Sequence, residues 1–211
     1  DIDFAAQLPH AALRVFVMGD RGARREVATA EDRAALAALT REAMAAGALG
    51  FSTSRTLNHQ TADGDPTPTL TAADDELMAI ALAMKAEGKG VLQFVSDFQN
   101  PGEEMAMLRR LVEQSGRPLS LSLAQTEGAP EGYRKLLGWL EGLAKAGLPV
   151  RGQVANRLVG LMLGLDTTLN PFVAHPSFQA LQRLPLAEKV ARLREPALRS
   201  KLLSFLLWPA T

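Results

Sequence analysis

Four glycines, Gly47, Gly88, Gly116 and Gly147, each close an apolar stripe of helical spacing, and each precedes a short apolar run. Glycine suits that place because the residue just past a helix end often takes a left-handed conformation. The stripes are Leu36–Leu39–Ala43–Met44, Leu77–Ile80–Ala81–Met84, Met105–Leu108–Val112 and Leu136–Leu137–Leu140–Leu143, the last in a helix expected from about Pro130 to Ala146. The runs that follow are Leu49 to Ser52, Val91 to Ser96, Leu119 to Leu123 and Pro149 to Val154, which read as strands. A fifth run, Leu13 to Met18, comes before them and stops at Gly19-Asp20-Arg21-Gly22, so it reads as the first strand. Thr29-Ala-Glu-Asp32 and Thr71-Ala-Ala-Asp74 are capping-box patterns with Asp in place of Glu, and Pro101 opens a further helix.

The order is therefore β-α-β-α-β-α-β-α-β, an α/β chain whose parallel strands are joined by right-handed helical crossovers. A doubly wound sheet and a piece of a (β/α)8 barrel both satisfy it. No GxGxxG or GxxxxGK[ST] spacing follows any strand, which weakens a nucleotide-binding doubly wound sheet. In either architecture ligands bind at the C-terminal ends of the strands. After Val154 come Gly-rich apolar segments, then short helices around Leu186–Arg194 and Pro196–Leu207, so 155–211 reads as a helical cover or insertion.

With 211 residues, 47% of them hydrophobic, the chain is long enough for one sizeable core. Its 23 basic and 23 acidic residues balance without any basic run, which argues against nucleic acid or an anionic membrane as main partner. There is no cysteine, so disulfides and Cys-ligated metals are excluded within these residues. The longest apolar run, near Val159 to Leu165, is far short of a membrane span, and with no signal-peptide pattern the expected location is cytoplasmic. The chain starts at Asp1 without a methionine and reads as part of a longer one.

Polar residues gather just past the strands: Asp20 and Arg21; Ser52, Thr53, Ser54, Arg55 and then His59; Ser96 and Asp97; Gln125; Gln153, Asn156 and Arg157. Converging on one barrel mouth, they suit a polar small molecule, with Arg55 or Arg157 able to fork onto a carboxylate. Asp97 follows a central strand directly and is the candidate base or metal ligand. Ser54, Arg55, His59, Gln125, Gln153 and Arg157 are the candidate substrate-binding residues. A loop serine or glutamine equally serves as a cap, and His59 equally as a surface-turn histidine. His10 and His175 each adjoin a proline and read as structural.

The stretches QLPHAALRVFVMGDRGA (Gln7–Ala23), AMAAGALGFSTSRTLNHQTADGDPTP (Ala43–Pro68) and GQVANRLVGLMLGLDTTLNPF (Gly152–Phe172) resemble the amidohydrolase superfamily, within it the N-acyl-D-amino-acid deacylase branch. The resemblance extends over nearly the whole chain and is most specific from Gly47 to His59. It implies a partial (β/α)8 barrel in which residues 1–211 are the central segment, about strands three to seven. It implies hydrolysis of a non-peptide C–N bond in a small-molecule amide by a zinc-activated water. The family's HxH motif would lie before Asp1 and its catalytic aspartate after Thr211, so the chain's partner is the remainder of its own polypeptide, and the segment alone is expected to be inactive. The family pattern also places a ligand histidine on the fifth and sixth barrel strands. Here those strands read VLQFVSDF and LSLSLAQT, with Ser96–Asp97 and Gln125 near the positions, so the metal ligands stay unassigned. The alternative is a metal-free barrel that binds a small polar ligand without turnover.

Overall fold

The computed structural model describes residues 2–126, 129–157, 160, 162–167 and 169–206; Val159 and Leu161 of the apolar run, and Leu207, lie outside them. Five strands and nine helices follow one another among these residues: β1 (Leu8–Pro9), α1 (His10–Met18), α2 (Asp20–Ala23), α3 (Ala30–Ala45), β2 (Gly50–Arg55), α4 (Asp74–Ala86), β3 (Val91–Ser96), α5 (Pro101–Ser115), β4 (Leu119–Ser122), α6 (Gly132–Lys145), β5 (Val150–Gln153), α7 (Pro176–Gln179), α8 (Leu186–Leu193) and α9 (Pro196–Leu206). All pairings between these strands are parallel and the spatial order is β1-β2-β3-β4-β5. A doubly wound sheet reverses its strand order at a switch point, whereas a barrel keeps sequence order throughout. The sheet is a five-stranded segment of a (β/α)8 barrel.

Side chains alternate across each strand, and the register carries that alternation across the sheet. Phe51, Leu92, Phe94, Leu119, Leu121 and Val150 are buried in one core with Leu36, Met44, Leu77, Ile80, Met84, Leu108 and Leu111 of the helices. The helices thus cover one face of the sheet. The opposite face, which we call the open face, carries Ser52, Ser54, Gln93, Ser120, Ser122, Arg151 and Gln153, none of them buried. Two glycines let β2 close onto its neighbour. A Cβ at Gly50 would stand 2.0 Å from the Val91 carbonyl oxygen, and one at Gly90 2.7 Å from Met84 Cε.

Helix ends follow the local chemistry in part. The Thr29–Asp32 capping box forms in both directions, and Arg21 and the Thr29 N–H hold the Asp32 carboxyl below its ordinary pKa. The Thr71–Asp74 pattern does not form. Leu70 and Ala72 donate to Thr67 and Thr69 in tight turns, so α4 starts at Asp74, with Ala73 as an N-cap that has no side-chain bond. Leu137, expected inward, is 41% exposed, because the stripe of α6 runs through Leu136, Leu140 and Leu143.

The largest departure is at Leu13–Met18, which is helix and not strand. Strand β1 is only Leu8–Pro9, and the chain turns helical at His10. His10, Leu13, Arg14 and Met18 are buried while Phe16 is 79% exposed, a helical spacing that overrides the β-branched composition. Asp20 and Arg21 consequently lie in α2 and not at a strand end, and Arg21 pairs with Asp32 at 2.7 Å.

Contacts divide the chain into two compact units, Asp1–His59 with Pro66–Arg157, and Gln60–Asp65 with Leu158–Thr211. Within the second, the turn at Gly64 lies against Gln182, Phe172 stacks near Phe178 at 6.2 Å, and buried Lys189 donates to the Leu165 carbonyl and Asp166. His175 caps α7 by accepting the Ser177 N–H. Helices α8 and α9 stand where the sequence places them. No helix among the described residues is long and apolar enough to cross a membrane.

A buried polar cluster ties the first unit together. Glu76, wholly inaccessible, accepts two bonds from Arg14 Nη1, at 2.9 and 2.7 Å, and one from His10 Nε2 at 2.6 Å. The other His10 nitrogen lies 2.8 Å from the Thr53 hydroxyl, and in the neutral ring that donates Nε2–H to Glu76 it accepts that hydroxyl. Burial holds the His10 imidazole below its ordinary pKa, outweighing the bond to Glu76. Removing Glu76 strands a buried guanidinium: Glu76→Ala lowers the unfolding free energy of the full-length protein by about 3–5 kcal/mol in urea titrations. Below about pH 6.5 the unfolded chain takes up a proton that folded His10 refuses, so stability is full above that pH and falls below it. His10→Gln flattens this fall; an unchanged slope would mean the histidine does not set it.

Candidate functional site

The open face supplies a candidate site. Register aligns Ser54, Val95, Ser122 and Gln153 in a layer at the C-terminal ends of the strands. One layer deeper, Ser52, Gln93, Ser120 and Arg151 stand side by side. Every member but Val95 has a polar group to offer. Hydroxyls, amides and one guanidinium can hold a small polar molecule by hydrogen bonds.

The rim above this face is fixed by the loop after β2. Asp97 Oδ1 accepts the Thr56 hydroxyl at 2.5 Å, and its Oδ2 accepts the Leu57 N–H at 2.8 Å. Thr56 in turn accepts from Asn58, through its side chain, and from His59, through its carbonyl. This folds the loop back so that His59 Nδ1 lies 2.6 Å from Ser54 Oγ. Phe98, next to Asp97, has φ 48°, and its N–H is held at 2.9 Å by Ser96 Oγ. A bulky residue in that region stores on the order of 1–3 kcal/mol of strain, which the surrounding bonds must hold. Ser54, His59 and Asp97 are thus brought into one constellation, and Gln153 shares the layer of Ser54.

Arg55 lies elsewhere. It shares the alternation of Phe51 and Thr53, and so belongs to the helix-covered face. Its Nε donates to Glu104 at 2.8 Å and its Nη1 to the Ala72 carbonyl at 2.6 Å, while Ser96 donates to the second oxygen of Glu104. Arg55 also lines a cleft of about 940 Å³ with Ala72, Asn100, Glu104 and Arg110, between the loop entering α4 and the first turns of α5. A carboxylate bound there would compete with Glu104. Gln125 is exposed and donates to the Pro130 carbonyl within its own loop. Arg157 is exposed past β5, with no ion pair among the described residues.

The sequence reading passed over Arg151, Gln93 and Ser122. The signal was present in the alternation of Leu119-Ser-Leu-Ser122, which marks the serines as the face opposite the core. Carried across to β5, the same alternation puts Arg151 and Gln153 beside them.

For zinc, the donor set does not fit. Among the described residues no three His, Cys, Asp or Glu side chains cluster so as to hold a metal ion. The open-face oxygens are neutral hydroxyls and amides, while zinc is bound by imidazole, thiolate and carboxylate.

A family model described as the amidohydrolase family matches residues 1–205, and the chain belongs to that family. Solved structures agree. One is a D-aminoacylase said to define a novel subset of amidohydrolases, 25% identical with a TM-score of 0.51, the match covering 69% of this chain and 28% of that one. Another is the N-acyl-D-glutamate deacylase of Bordetella bronchiseptica, in complex with zinc and a phosphonate mimic of the tetrahedral intermediate; it is 22% identical with a TM-score of 0.58, over 72% of this chain and 30% of that one. The chain thus spans under a third of these relatives. No curated protein matches it significantly.

Both Asp97 oxygens accept bonds that hold the rim loop. Asp97→Asn in the full-length protein is expected to raise KM and lower stability by about 1–2 kcal/mol, from one lost acceptor. The shape of the pH–rate profile stays unchanged. A lost acidic limb with kcat alone reduced would instead make Asp97 a general base.

Proposed function

We propose that these residues form one wall of a hydrolase that acts on non-peptide C–N bonds, with an N-acyl amino acid of D configuration as substrate. The observation that carries this reading is the family match over residues 1–205. The D-aminoacylase likeness and a polar open face at the C-terminal strand ends support it. The remainder of the polypeptide supplies the rest of the barrel.

Each residue has a part that its geometry allows. Ser122 and Gln153 offer a hydroxyl and an amide to the substrate amide group. Ser54 orients the His59 ring through their 2.6 Å contact, and His59 at the rim lines the entry. Asp97 keeps the loop in place. Arg55 and Glu104 hold β2 and β3 to α5 from the far side. A bound zinc would supply Lewis-acid activation of water, but the donors among the described residues do not form its site.

That donor set also favours a second reading, a barrel that binds a small polar ligand without turnover. Two assays on the full-length protein separate them: amine release from N-acetyl-D-amino acids, and elemental analysis after purification without added metal. The first reading expects amine release that chelation abolishes, with about one zinc per chain. No metal, and no release on adding zinc, establishes the second.

A further inference from the structure

The second compact unit holds a cavity of about 290 Å³, and every residue that lines it belongs to that unit. Among the lining side chains, Lys189 and Asn170 are only 6% and 7% exposed. Lys189, on α8, donates to the Leu165 carbonyl at 3.1 Å and to Asp166 Oδ1 at 3.2 Å. Asn170 commits its oxygen to the Phe172 N–H at 3.0 Å, so its amide group has N–H donors to offer a ligand. Asp63, Asp166 and Arg183 line the same cavity and are exposed to solvent. The turn that carries Asp63 is fixed. Gly64 has φ 85°, its N–H donates to the Thr61 carbonyl at 3.0 Å, and a Cβ there would stand 2.4 Å from Gln182 Nε2. Only glycine lets that turn close on Gln182.

The charged groups of the lining are two cations, Lys189 and Arg183, and two carboxylates, Asp63 and Asp166. Their charges cancel, so an ion of either sign meets as much repulsion as attraction. A molecule carrying both signs a few bonds apart can pair with both sets, and its carboxylate end suits the fork of an arginine. The cavity is also smaller than the roughly 300–1,000 Å³ usual for drug-sized ligands, so its occupant is compact. We propose that it binds a free α-amino acid as the zwitterion, the carboxylate on Lys189, Arg183 and the Asn170 amide, the ammonium on Asp63 and Asp166. An N-acyl amino acid has no ammonium for the two acids, and an amino acid ester has no carboxylate for the two cations. The site therefore refuses both. Binding of this kind needs no turnover and is independent of the hydrolase reading.

The test is calorimetric titration of the full-length protein with D-alanine and L-alanine, beside N-acetyl-D-alanine and D-alanine methyl ester. Saturable binding of a free alanine is expected, with each blocked probe at least about tenfold weaker for want of one charge-assisted contact. Asp63→Asn and Arg183→Gln change exposed side chains and leave the fold intact; each is expected to weaken alanine binding roughly tenfold. Lys189→Met abolishes it, but this variant can also unfold the unit, so the two surface variants decide. Alanine binding lost in both of them, from a protein that releases no amine from N-acetyl-D-amino acids, keeps this proposal and removes the hydrolase reading. Amine release with no saturable binding of either alanine removes this proposal and keeps the hydrolase. Binding unchanged in Asp63→Asn and Arg183→Gln places the amino acid elsewhere and overturns the proposal, as does N-acetyl-D-alanine binding as tightly as D-alanine.

Discussion

Alternation of side chains across a parallel strand sets most of what this molecule does. Each residue from β2 to β5 faces either the helices or the open side, and the register keeps that assignment in step from one strand to the next. On one side Phe51, Phe94, Leu119 and Leu121 meet the helix stripes in a continuous core. On the other, serines, glutamines and an arginine are left for a ligand. A slip of one residue in any strand would exchange the two sets. Burial of the aromatic and leucine side chains, each worth about 1.5–3 kcal/mol, therefore fixes where the functional groups point.

The same rule explains why residues adjacent in sequence part company. Ser54 and Arg55 are neighbours, yet Ser54 meets His59 at the rim while Arg55 meets Glu104 under the helices. Ser96 and Asp97 divide likewise, one serving Glu104 and the other the loop of Thr56 and Leu57. A list of polar residues at strand ends mixes the two sets. Sorting them by face puts Ser54 and Gln153 on the open face and Arg55 on the helix-covered face, against Glu104.

Much of the fold was legible because it is written locally. Val91–Ser96 is a strand with the bounds its composition suggests, and Pro101 and Gly116 mark the ends of α5. Leu13–Met18 was not legible, since its β-branched composition suits a strand equally. What makes it a helix is the burial of His10 and Arg14, satisfied by Glu76, 66 and 62 residues away. The site divides in the same manner. That Asp97 follows a strand is visible in the sequence, but that both of its oxygens are committed to Thr56 and Leu57 depends on contacts 41 and 40 residues apart. The face of Arg151 could have been read from the Leu-Ser-Leu-Ser alternation next to it, had the register been known.

The central claim is that substrate meets the open face and not the cleft beside Arg55. The most direct measurement is a crystal structure of the full-length protein with a phosphonate analogue of an N-acyl-D-amino acid. The account predicts the analogue over β4 and β5, within hydrogen-bond distance of Ser122 or Gln153, with the Arg55–Glu104 pair intact. An analogue seated between Arg55 and Asn100, with that pair broken, would contradict it.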